Sequence, residues 1–249
     1  MNNDVLSCCR SDDSDFDART GVCGFPVEDW SEEFVRGHEE RPNKPLFDPD
    51  CLGLGPPEAD IGQECLALHR MQACRTSAHE ARIRAQVDDA GLLLPFIEVL
   101  GLFDYYSHPV LERAALLHRI RQNLRQPIFV FKRKYLRARP FRMCPGIKPM
   151  FPKGNWNYPG HPSYPSGHAA MAYAWAYLFR LNLAERHRDL GAALLAAAKE
   201  VAENREWAGV HYASDTRAGE LLGLQIAGAI VGQSRIRRDE YALLMPGLN

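Results

Sequence analysis

Strand signals are scarce throughout this sequence, while apolar residues from Asp60 onward fall at helical spacing. That one property sets aside sandwiches, barrels and alternating α/β folds. In DIGQECLALHRMQACRTSAHEARIRAQVDD, Asp60 stands as a helix cap ahead of Ile61, Leu66, Leu68, Met71 and Ala73. LLLPFIEVLG and the amphipathic PVLERAALLHRIRQNLRQ follow, then PIFVFKRKYLRAR, whose Pro127 suits a first helical turn. AAMAYAWAYLFRLNLAERH, RDLGAALLAAAKEVAENR and HYASDTRAGELLGLQIAGAIVGQSRIRR continue the pattern. With 46% hydrophobic residues in 249, the chain can bury a sizeable core. The expected class is all-α, a compact multi-helix bundle.

Composition divides the chain. Residues 1–50 are rich in Asp, Gly, Pro and Arg, with one candidate helix in VEDWSEEFVRGHEE. They read as an N-terminal extension, partly disordered or draped on the core, ahead of a helical domain over residues 51–249. The longest apolar runs, GLLLPFIEVLGLF and LLGLQIAGAIVG, fall short of the roughly 18 to 20 residues that span a bilayer. They read as buried helices, and no integral membrane segment is expected. The polar, acidic start lacks the features of a signal peptide, so a cytoplasmic location is expected of the chain as written, or a periplasmic one if a leader has been removed. The formal charge of -1 offers no field to draw nucleic acid. Seven cysteines without a CxxC pair signal neither a disulfide framework nor a zinc site. Reduced, structural thiols are expected, and Cys8, Cys9 and Cys23 with His38 match no common zinc spacing.

Three clusters carry chemistry. In KRKYLRARPF, Lys132 and Arg139 are two helical turns apart and would share a face, with Pro140 placing Arg139 at the helix end. In YPSGH, Ser166 can cap the next helix, and Gly167 lets a ligand approach its free N–H groups and positive dipole end. His168 enters in the first turn. In NREWAGVHYASD, His211 and Asp215 are four apart, so the carboxylate can fix the ring's tautomer and leave the other nitrogen free to attack. Arg205 lies upstream of the small-residue break WAGV and can fold back onto the same anion. Taken singly, these are a solvated basic face, a capped histidine and a surface ion pair. Taken together they suit holding a tetrahedral oxyanion and attacking it: cations and N–H groups stabilise its oxygens, one histidine attacks, and the other protonates the leaving group.

These residues resemble the three-part signature of the phosphatidic acid phosphatase type 2 superfamily, which includes bacterial class A non-specific acid phosphatases and vanadium haloperoxidases. KRKYLRARP fits K-x6-RP, PSGH fits directly, and NREWAGVHYASD fits SR-x5-H-x3-D except that Asn204 replaces the usual serine. The similarity to soluble class A acid phosphatases extends upstream, through ECLALHRMQACRTSAHEARIRAQ. The resemblance implies that Lys132, Arg139, Arg205, Ser166 and Gly167 hold phosphate, that His211 forms a phosphohistidine, that Asp215 orients His211, and that His168 is general acid and then general base. It implies no metal and no other cofactor, with vanadate an inhibitor, or the cofactor of a haloperoxidase under an alternative reading. A non-catalytic phosphate binder is a third reading. Small soluble phosphate esters are the expected substrates, with a lipid or prenyl phosphate as the alternative. An acidic to near-neutral optimum and, from class A relatives, a homo-oligomer are also expected. FRMCPGIKPMFPKGNWNYPGHPS, with Trp156, Tyr158 and His161, is either the pocket rim or a packed connection.

Overall fold

The computed structural model describes residues 52–100, 124–181 and 189–230. The expected extension over residues 1–50, the cysteines within it and most of PVLERAALLHRIRQNLRQ lie outside the described residues. Within them the regular elements are helices: α1 (Ile61–Ala73), α2 (Ser77–Ala85), α3 (Asp89–Leu100), α4 (residues 124–135), α5 (Pro140–Met143), α6 (Gly167–Leu181), α7 (Leu190–Trp207) and α8 (Ala213–Ile230). The all-α expectation holds.

Local chemistry sets the boundaries. Asp60 caps α1 as expected, its Oδ1 accepting from the N–H groups of Gly62 at 2.6 Å and Gln63 at 3.3 Å. The helical pattern then breaks at Cys74–Thr76, because Thr76 and His79 close a reciprocal capping box that starts α2. The buried row of α1 is Ile61, Glu64 and Leu68, whereas Leu66, expected on the apolar face, is 52% exposed. Pro127 is the fourth described residue of α4, and the residues ahead of 124 lie outside the described ones.

α6 is the central helix, buried along Ala172–Leu178, with Trp175 edge-on to Phe96 of α3. α7 packs on it through Leu194, Ala198, Val201 and Ala202, at spacings of three and four. Burying each large aliphatic or aromatic side chain here contributes about 1.5–3 kcal/mol. α8 lies still closer. A Cβ on Gly219 would come 2.4 Å from the Ser166 carbonyl oxygen, and one on Gly223 2.1 Å from that of Ala170. The four-residue spacing puts both glycines on one face of α8, so α6 and α8 meet backbone to backbone, both starting at the same end of the bundle.

Cys65 of α1 and Cys144, the C-cap of α5, form a disulfide across 79 residues, with Cα atoms 5.4 Å apart. The expectation of reduced thiols fails here because nothing local marks this pair; only the docking of α1 on α5 makes them neighbours. Among the described residues no helix is long and apolar enough to cross a membrane.

Candidate active site

A cavity of about 340 Å³ opens at the end where α6 and α8 begin. Lys132, Arg139, Gly167, His168, Arg205 and His211 line it, so the three sequence clusters converge on one place.

The first cluster arrives differently from its sequence reading. Lys132 and Arg139 do not share a helical face. α4 stops at residue 135, Leu136 takes a left-handed φ of 45°, and residues 136–139 run outside any helix until Arg139 caps α5. A non-glycine residue there costs about 1–3 kcal/mol, held in place by a fully buried side chain. The turn lets both cations reach one cavity. Lys132 Nζ donates to the carbonyls of Pro162 at 2.6 Å and Ser163 at 3.1 Å. Arg139 donates through Nε to the His161 carbonyl at 2.9 Å and through Nη1 to the Val210 carbonyl at 2.6 Å. Its Nη2 lies 2.9 Å from His161 Nδ1.

At YPSGH, Ser166 caps α6 as expected, its Oγ accepting from Ala169 N at 3.4 Å, while its own N–H donates to the Asp215 carbonyl at 3.0 Å. That bond ties the start of α6 to the start of α8. A Cβ on Gly167 would meet only Ile128, no closer than 3.7 Å. Protein packing therefore does not demand glycine here; the clear space beside the backbone belongs to the cavity. His168 Nε2 is buried with no hydrogen-bond partner among the described residues.

At NREWAGVHYASD, α7 ends in a left-handed glycine motif. Gly209, at φ 71°, donates to Glu206 O at 2.8 Å, and Val210 N donates to Arg205 O at 3.2 Å. The reversal brings Arg205, in the last turn of α7, beside His211, just ahead of α8. Arg205 Nη2 donates to Ile83 O at 3.1 Å, and its Nε is buried without a partner among the described residues. His211 and Asp215 pair at 3.1 Å, Nδ1 to Oδ2, but not as neighbours on one helix. His211 precedes α8 and Asp215 sits in its first turn, also accepting from Tyr212 N at 3.0 Å. An acceptor at Nδ1 puts the proton there and leaves Nε2 bare, 3.1 Å from Arg139 Nη1.

Burial dominates the electrostatics. It pushes His211 down to about 3, with Arg139 adding to the shift, so the ring is neutral at any ordinary pH. Burial and then Arg205 hold His168 well below its usual value. Burial lowers Arg139 and Arg205 to about 10, and burial followed by Arg139 lowers Lys132. Asp215 runs against its burial, which would raise it; Arg137 and His211 hold it low. Several cationic groups crowding a desolvated cavity make it a place for a multivalent anion, whose charge offsets these costs.

Sequence reasoning missed the layer behind Asp215. Arg137 is fully buried, and its Nη1 donates to Asp215 Oδ1 at 2.7 Å and Ser214 Oγ at 2.6 Å. Its Nη2 donates to Glu64 Oε2 at 2.8 Å. One signal was available: Glu64 is a carboxylate in the buried row of α1, between Ile61 and Leu68. Asn204, the departure from the family pattern, is buried and donates to Gln86 Oε1 at 2.8 Å. Trp156, Tyr158 and His161 all line the cavity, with Trp156 85% exposed at its rim. Leu92, Ile128, Phe129, Phe151 and Met171 give the cavity an apolar wall.

The described fold is similar to the crystal structure of a transmembrane PAP2 type phosphatidylglycerolphosphate phosphatase from Bacillus subtilis, at 21% identity and a TM-score of 0.50, over 69% of this chain and 84% of that one. At that identity the likeness concerns the fold. No curated protein sequence matches the chain. Residues 122–239 match the model of the PAP2 superfamily, and this matched stretch supplies every cation, both histidines and the aspartate of the three clusters.

Proposed function

We propose that this protein is a phosphatase that transfers a phosphoryl group from an ester to His211 and then to water. The observation that carries this reading is the state of His211: Nδ1 held by Asp215, Nε2 bare and 3.1 Å from the Arg139 guanidinium. A phosphate drawn toward Arg139 meets a nucleophile. Lys132, Arg139, Arg205 and the N–H groups at the start of α6 hold its non-bridging oxygens. The Nε2–phosphorus bond forms as the ester P–O bond breaks, and the leaving oxygen takes a proton from His168. His168 then accepts a proton from water, the resulting hydroxide attacks phosphorus, the N–P bond breaks and inorganic phosphate departs.

The protonation of His168 belongs to the complex. Burial, and then the neighbouring cations, disfavour its proton; a bound phosphate dianion reverses the sign of the local field and favours the proton. Phosphate affinity therefore rises as pH falls, which agrees with an acidic to near-neutral optimum.

For the substrate, the apolar wall and the exposed Trp156 favour an ester with a hydrophobic chain, a lipid or prenyl phosphate, over the small soluble esters of the first expectation. A solved structure similar to this chain is that of a transmembrane PAP2 type phosphatidylglycerolphosphate phosphatase, which points the same way. The test is phosphate release in EDTA from phosphatidylglycerol phosphate in mixed micelles and from p-nitrophenyl phosphate, wild type beside His211→Ala. Turnover by wild type alone supports the phosphohistidine route, and equal turnover by the variant removes it. A kcat/KM for the aryl ester at or above that for the lipid returns the substrate to the soluble class.

A further inference from the structure

Arg137 lies outside the cavity and takes no part in the steps above, yet it is fully buried between two carboxylates from distant parts of the chain. Asp215 comes from the first turn of α8 and Glu64 from the first turn of α1. Glu64 is engaged on both oxygens: Oε1 accepts from Ser214 N at 2.7 Å, and Oε2 accepts from Ser214 Oγ at 2.8 Å as well as from Arg137. The Arg137 guanidinium also stacks over the Tyr212 ring, 4.1 Å from its centroid. Tyr212 in turn gives its N–H to the same Asp215 oxygen that holds His211. Every residue from 211 to 215 except Ala213 thus either bonds to this cluster or belongs to it.

We propose that Arg137 is a positioning residue for the phosphoryl transfer, acting through Asp215, and that Glu64 sets its strength. The inference rests on the reading of His211 as nucleophile. Asp215 has one oxygen for the histidine and one for the arginine. Arg137 fixes the carboxylate's rotation, so that Oδ2 faces Nδ1, and draws off part of its charge. A carboxylate without that cation would pull harder on the Nδ1 proton and favour the doubly protonated ring, which has no lone pair for phosphorus. Glu64 works in the opposite sense, because it competes with Asp215 for the same guanidinium. Among the described residues the cluster holds one positive and two negative charges, and its balance determines how basic His211 is when the phosphate dianion arrives.

This arrangement predicts opposite responses from two substitutions. In Arg137→Met, the acidic limb of the kcat profile, which reports the substrate complex, moves up by about one pH unit. kcat at pH 6 falls about ten- to a hundredfold, the usual range for a partner that orients a reacting group. Arg137→Lys restores part of kcat, since an ammonium supplies the charge without the fork. In Glu64→Gln, the limb moves down and kcat changes less. A cluster that merely supports the fold would lower melting temperature in each variant and leave the limb in place. The experiment is the pH dependence of kcat for wild type, Arg137→Met, Arg137→Lys and Glu64→Gln, with the His211 ring followed by NMR in the vanadate complex. Opposite limb shifts carry the proposal. Unmoved limbs in folded variants overturn it, as do shifts of the same sign. If Arg137→Met fails to fold, the Glu64→Gln shift alone decides. His211→Ala is run alongside: activity there defeats the phosphohistidine reading itself, whereas an inactive His211→Ala with unmoved limbs defeats only the role of Arg137.

Discussion

The two faces of His211 are finished to different degrees. Behind it, Asp215, Arg137, Glu64 and Ser214 bond to one another, with both carboxylates on the one guanidinium. In front, Lys132, Arg139 and Arg205 crowd one cavity with no acid among them, Arg205 Nε and His168 Nε2 lack partners among the described residues, and burial depresses all their proton affinities. The rear face is complete as it stands; the front face is complete only around an anion. The contrast teaches that a buried charge cluster reads as structural when its donors and acceptors balance, and as a ligand site when they do not.

Breaking the link between the faces should have the largest effect. Asp215→Asn keeps the shape but frees His211 to take the other tautomer, and kcat should fall on the order of 10³- to 10⁴-fold with little change in phosphate affinity, read by steady-state kinetics beside phosphate inhibition. A fall below tenfold would separate the faces functionally. Next comes the covalent support of the rear face. Opening Cys65–Cys144, which closes 79 residues of chain, should cost up to about 4 kcal/mol, seen as a lower denaturant midpoint under a reductant that leaves Cys65→Ser/Cys144→Ser unaffected. Gly219→Ala should cost about 1–3 kcal/mol by forcing α8 off α6, and should lower kcat as well, because the Ser166–Asp215 tie spans that contact.

The pH response sharpens the contrast most gently. His161, His168 and His211 all titrate lower in the fold than the ordinary histidine value near 6.5. The unfolded chain therefore binds more protons below that value. Stability is full above about 6.5 and declines as pH drops toward the folded values, by at most about 1.4 kcal/mol per pH unit per histidine. Added phosphate should offset the loss, so its stabilising shift in melting temperature should be greater at pH 5 than at pH 8. An equal shift at both would mean that the anion does not bring the proton to His168.

What could be read from the sequence follows from range. Helix class, the Asp60 and Ser166 caps and the three clusters are local patterns, and each survived in the structure. The shared helical face of Lys132 and Arg139 did not, because a left-handed Leu136 ends α4 first, and no local rule places a buried leucine there. The disulfide and the Glu64–Arg137 bond join α1 to the chain more than seventy residues later, which spacing alone does not reveal. Glu64 was visible as an acid in an apolar row, though its partner was not.

The backbone contact at Gly219 and Gly223 has a consequence for how such a protein can change over time. Because His168 lies in the first turn of α6 and His211 two residues ahead of α8, their separation is set by a main-chain contact that only glycine at 219 and 223 allows. The reaction's geometry is inherited with the helix pair. The stretch from Phe151 to Gly160, which walls the cavity, lies outside the helices. Exchanges there leave the contact between α6 and α8 in place. New substrates would be acquired there, by recutting the rim around an unaltered centre.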